Sequence, residues 1–232
     1  MRRRSFLALA ATAVVLVSAL TSAAGARAAT SATTVFLVAR PDMPDPLFAQ
    51  SVILMLPRSG DFPLVAGLIV NKPIREVPLH KLFPGSAALK NRSDTAFLGG
   101  PVDIEAPAIV FRADRPIDKS THIAGDVYVT LDPDLAAALA QDPKRVHDFR
   151  LILGRSQWTP DQLHSEIMKG AWYTVTADAG IVFSADPGSL WNTLAARARL
   201  TPVGLMAPAA VPQLLPISGA GYLRYGCWSL MP

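Results

Sequence analysis

The 232-residue chain fits one domain, or two at most, and half of its residues are apolar, enough for a sizeable core. Charged residues make up 17%, so the low-hydrophobicity, high-charge signature of disorder is absent. The formal net charge of +4 comes from 22 basic against 18 acidic residues, and its placement along the chain decides what it means.

The N-terminus reads as an export signal. Arg2, Arg3 and Arg4 form a positive start, and Phe6 to Leu20 is apolar apart from Thr12 and Ser18. Ala24-Gly25-Ala26 and Ala26-Arg27-Ala28 both fit the small-x-small cleavage pattern, which sets a cleavable signal peptide over residues 1–28. The apolar stretch is too short for the roughly 20 residues that span a bilayer, so no stable membrane span is expected after cleavage. Arg3-Arg4-Ser5-Phe6-Leu7 also has the twin-arginine form, with a Sec signal as the alternative. The expected location is periplasmic or secreted.

That segment changes the charge argument. Four of the 22 basic residues, Arg2, Arg3, Arg4 and Arg27, lie in it and no acid does, so the remainder carries 18 of each sign. A nucleic-acid binder usually shows a net basic domain or a basic stripe; neither is evident here, which argues against nucleic acid as a partner and leaves a local basic patch as the alternative. Cys227 is the only cysteine, which excludes a disulfide within the chain.

Apolar runs bounded by turn residues then predict strands in order: Thr34–Val38, Ser51–Leu56, Val65–Val70, Ala96–Leu98, Ala108–Phe111, Val127–Thr130, Phe149–Leu153, Trp172–Val175 and Ile181–Phe183. Pro57-Arg58-Ser59-Gly60-Asp61 between the second and third reads as a turn, making that pair a hairpin. A short helix is predicted around Val77–Phe83. Three further helices carry start signals: Asp132-Pro133, Thr159-Pro160-Asp161-Gln162 as a capping box stopped by Gly170, and Asp186-Pro187 with a core stripe of Leu190, Leu194 and Ala198. Strands and helices do not alternate regularly, which favours α+β over a doubly wound parallel sheet. After residue 200 the chain is rich in proline and glycine yet apolar, and residues 201–232 read as a tail without regular structure.

The catalytic motifs are incomplete. His80, His122, His147 and His164 have no second ligand at metal-binding spacing, so no metal site and no cofactor are expected. Gly154-Arg155-Ser156-Gln157-Trp158 follows a strand and precedes a helix, the setting of a nucleophile elbow, but Trp158 stands where that motif needs its second glycine. Lys72 and Arg75 after a buried strand form either an anion site or a solvated loop.

In order, Phe36-Leu37-Val38-Ala39-Arg40-Pro41, Asp45-Pro46-Leu47-Phe48, Gly67-Leu68-Ile69-Val70-Asn71-Lys72-Pro73, Leu98-Gly99-Gly100-Pro101-Val102 and Gly170-Ala171-Trp172 resemble the YqgE/AlgH family, also called UPF0301. The resemblance covers about residues 34–198. It implies an α+β fold in one domain over residues 29–200, with a strongly bent mixed β-sheet, almost a pseudo-barrel, flanked by helices. It supplies no settled activity and no catalytic residue to carry over. Members of the family are expected in the cytoplasm, so the export segment is a departure. So is the loop at Gly154, where the family pattern reads more like G-Y-A/S-G-W.

Loop placement selects Asn71, Gly99, Gly100 and Trp158 as candidate binding positions, expected to share a surface. The expected function is a non-enzymatic binding or regulatory protein of the cell envelope with a protein or small-molecule partner. The competing readings are a hydrolase of unfamiliar type built on Ser156 or a loop carboxylate, and a transcription-related regulator if the signal is not used.

Overall fold

The computed structural model describes residues 33–57, 63–146 and 148–200. The signal segment, most of the predicted turn at 57–61, His147, Cys227 and the tail at 201–232 lie outside the described residues.

The strands are β1 (Thr33–Ala39), β2 (Val52–Met55), β3 (Val65–Ile69), β4 (Pro73–Pro78), β5 (Ser93–Leu98), β6 (Val102–Arg112), β7 (Thr121–Ala124), β8 (Val127–Thr130), β9 (Phe149–Trp158) and β10 (Trp172–Asp178). They form a sheet ordered β10-β1-β2-β3-β9-β6-β8-β7, with β5 on β9 and β4 on β5. All pairings are antiparallel except β5 with β9. The sheet curls so far that β7, at one end of the order, comes back against β1 near the other. The fold is therefore α+β with a strongly bent mixed sheet.

The curl explains why the strands read as nearly continuous apolar runs rather than alternating ones. Side chains alternate between the two faces of a strand, and here both faces are covered. The inner face buries Phe36, Val38, Leu54, Leu68, Val110 and Ile152, closed at one side by the helix α4 (Leu190–Leu200) through Leu190 and Leu194. The neighbours on those strands point outward. Ile109, Phe111 and Leu151 pack under α2 (Pro133–Gln141) and α1 (Leu79–Leu82). Leu37, Ile53, Ile69 and Trp158 pack with Leu163 of α3 (Pro160–Met168).

The helix starts follow their caps. The Asp132 carboxylate accepts from the Leu135 N–H at 2.9 Å, and the Thr159 hydroxyl from the Gln162 N–H at 3.1 Å. The reciprocal half of the capping box does not form, because the Gln162 amide donates instead to Glu166 at 2.9 Å.

Several expectations are corrected. Val77 and Pro78 belong to β4, and the helix begins only at Leu79. Ile181–Phe183 is not a strand but part of a 3-10 turn, Ala179–Phe183. Its N-cap is Asp178, whose carboxylate accepts from the Gly180 N–H at 2.6 Å and so turns the chain out of β10. Asp186-Pro187 opens a 3-10 turn, Pro187–Ser189, that leads into α4. β4 and β7 were not expected at all: β4 holds Pro73, Arg75, Glu76 and Pro78, a composition that hides an edge strand.

Candidate functional site

β9 does not end at Leu153. It runs on through Gly154-Arg155-Ser156-Gln157-Trp158, pairing Gly67 with Ser156 and Val65 with Trp158. There is thus no strand-to-helix elbow at Ser156. Its side chain is fully buried and its hydroxyl donates to the Gly99 carbonyl at 3.1 Å. Among the described residues no imidazole or carboxylate is hydrogen-bonded to it, so no described group stands where the base that activates a serine nucleophile would be needed.

The four candidate positions are all buried and do not share an open surface. Gly99 lies where β3, β5 and β9 meet: its carbonyl accepts from Ile69 N–H at 3.0 Å and its N–H donates to Leu153 at 2.7 Å. A Cβ there would fall 2.2 Å from the Gly154 carbonyl oxygen, so only glycine permits the approach. Gly100 sits beside it with φ +149°, against Arg155 and Ser156.

Asn71 accepts from the Val52 N–H at 2.7 Å and donates to the Gln50 carbonyl at 2.9 Å. Gln50 has φ 56°, so this amide fixes the point where the 45–50 loop turns into β2. The neighbouring Lys72 Nζ donates to the Leu47 carbonyl at 2.5 Å, and burial lowers its pKa from the ordinary lysine value, partly offset by the nearby Asp45 charge. The cation therefore holds this loop.

Trp158 belongs to a second cluster. Its indole N–H donates to Glu166 Oε2 at 3.0 Å, and that of Trp172 donates to the same oxygen at 2.8 Å. Phe48, carried on the loop that Asn71 and Lys72 anchor, packs on both rings with centroids 6.3 and 5.7 Å away. This cluster locks α3 to the sheet. Glu166 gave no sequence signal, because a carboxylate between two indoles requires three elements to converge. A further buried pair, Arg155 with Asp103, ties β9 to the start of β6, with side chains 16% and 9% exposed.

A charged side chain beside an open cleft lies elsewhere. A cleft of about 380 Å³ opens at the rim of the sheet's inner face, between β5 and β9 and the turns at 183–187. Arg150 lines it, with its guanidinium 4.2 Å over the ring of Phe97. The guanidinium donates to the Val70 carbonyl at 3.3 Å and the Ser184 carbonyl at 3.0 Å. Burial lowers its pKa, with the charge of Asp148 acting the other way. Thr95, Asp94, Phe183 and Ser184 complete the side facing Arg150. Sequence reading passed over Arg150 because it sits inside an apolar strand with no motif around it. Its one signal was a charge within a strand buried on both faces.

Among the described residues, no three His, Cys, Asp or Glu gather to hold a metal ion, and no helix is long and apolar enough to cross a membrane.

The comparisons with known proteins agree with this architecture. An AlgH-like family model matches residues 36–202. A UPF0301 protein of Methylococcus capsulatus is 33% identical over 161 residues, 68% of this chain and 86% of that protein. The UPF0301 protein YqgE of Escherichia fergusonii is 29% identical over 167 residues, 69% of this chain and 88% of its own length. Among solved structures, the AlgH protein from Pseudomonas aeruginosa superposes with a TM-score of 0.58 at 24% identity, covering 82% of this chain and 95% of that one. A Corynebacterium diphtheriae protein gives 0.54 at 25%, covering 72% and 86%. The Pseudomonas likeness speaks to the fold alone. With the family match running from within β1 to the end of α4, the chain belongs to the AlgH-like UPF0301 family.

Proposed function

We propose that this protein is an exported, non-enzymatic binding or regulatory protein of the cell envelope. The observation that carries the binding half is how its polar groups are used. Ser156 and Asn71 spend their side-chain hydrogen bonds on their own backbone, while Arg150 lines an open cleft. A guanidinium stays protonated across ordinary pH, so it serves as a fixed hydrogen-bond donor and not as an acid or base. Such a group suits recognition better than turnover. The export half rests on the order of positive start, apolar run and small-residue exit in residues 1–28.

Cell fractionation with N-terminal sequencing tests export. The expected product is a periplasmic or secreted chain beginning just after Ala26 or Ala28. Full-length protein confined to the cytoplasm would overturn the reading. An Arg3→Lys, Arg4→Lys double variant then separates the routes: twin-arginine export is lost and Sec export persists. Affinity capture from envelope extract, together with a small-molecule thermal-shift screen, tests binding. A partner or ligand should raise the melting temperature by mass action. Both arms empty at high protein concentration would count against the binding role.

A further inference from the structure

We propose that the Arg150 cleft is a binding site for a small organic carboxylate with an apolar body. The proposal rests on the binding-protein reading above and names its site and ligand class.

The argument starts from the strand period. Ala96 pairs with Leu151 and Phe97 with Ile152, in parallel register. Ile152 and Phe97 face the inner core, and Ala96 and Leu151 the outer one. One step back along both strands, Arg150 and Thr95 come opposite each other on the inner face. A cation thus sits at the rim of an otherwise apolar interior, where curled sheets commonly take small ligands.

Arg150 has five N–H donors, and the structure uses them for two hydrogen bonds to backbone carbonyls. Those bonds and the Phe97 ring fix the plane of the guanidinium without neutralising it. Among the described residues no carboxylate lies within ion-pair distance of Arg150: Asp148 pairs with Arg112 Nε at 3.0 Å and reaches Arg150 only through its longer-range charge. The remaining donors match the two oxygens of a carboxylate, in the charge-assisted forked geometry that arginine favours. The Thr95 hydroxyl lies on the same face. Phe97, Phe183 and the prolines Pro73 and Pro187 supply apolar walls for the body of the ligand. Asp94 also lines the cleft, with one oxygen accepting from the Thr95 N–H at 2.8 Å, and its charge disfavours a second anionic group. A monocarboxylate follows. The volume, about 380 Å³, is at the small-molecule end of the ligand-pocket range.

The test is calorimetric titration of the purified protein with 3-phenylpropionate and with its neutral amide, 3-phenylpropanamide. The acid is expected to saturate one site, and the amide to bind about tenfold or more weakly, because only the acid forms the charge-assisted fork. Arg150→Lys should weaken the acid by about tenfold, since an ammonium cannot reproduce the planar fork. Arg150 also ties two backbone carbonyls, so Thr95→Val serves as the variant that leaves the fold untouched; it should weaken the acid without altering the melting temperature. Equal affinity for acid and amide, no saturable binding of the acid, or wild-type affinity in both variants would each overturn the site. Such a failure leaves export and protein capture standing, whereas failed export leaves the titration intact, so the two readings fail separately.

Discussion

Asn71 does with one side chain what a neighbouring strand would do with its backbone. It supplies an acceptor to Val52 and a donor to Gln50 where the 45–50 loop bends into β2. Replacing it with alanine leaves the buried Val52 N–H without a partner. We expect Asn71→Ala to lose about 1–3 kcal/mol, the cost of an unsatisfied buried group, measured by urea unfolding. Asn71→Asp keeps the acceptor but sets a buried carboxylate oxygen against the Gln50 carbonyl, and should be at least as destabilising near neutral pH. The residue type and its place at a strand end were legible in the sequence. Its use was not: an amide that could bind a ligand or its own loop is resolved only by where Gln50 and Val52 lie. The same holds for Trp158, whose indole finds Glu166 eight residues on and Trp172 beyond it.

Helix α2 shows how a local signal becomes an element. Asp132 caps it, Pro133 occupies its first position, and Leu135 and Leu139 meet the outer face of the sheet. The carboxylate's pKa is lowered from 3.8, first by the Leu135 N–H and then by Lys119. A depressed acid contributes stability that is present above its unfolded value and is lost as pH falls through the folded one. Asp132→Ala should therefore cost about 1 kcal/mol near neutral pH, and the difference from wild type should shrink as pH drops below about 4. Stability curves for both proteins between pH 7 and 3 would check it. Strong caps made α2 and α3 readable from the sequence. The error at Ile181–Phe183 has the opposite cause: an apolar β-branched run is compatible with a strand, and only the Asp178 cap curls it into a 3-10 turn.

At the scale of the whole molecule, β9 is shared by both layers of core. Ile152 faces the interior with Phe97 and Val110, while Leu151 faces α2 with Ile109 and Phe111. Truncating either removes a fully buried side chain. Ile152→Ala and Leu151→Ala are each expected to cost about 2–5 kcal/mol. Because one strand carries both clusters, each variant should melt in a single transition; two separated transitions by calorimetry would show that the layers unfold independently. What the sequence determined by itself is the set of local decisions: strands where apolar runs lie between turns, helices where capping oxygens precede proline, and the positive excess confined to residues 1–28. The tertiary structure decided the rest, because pairing partners, sheet curl and the face on which a side chain lands depend on contacts far apart in the chain. It carried β9 past Gly154 and closed Ser156 inside the sheet. It placed the charge of Arg150 at an open rim, which no count of residues or spacing along one strand could reveal.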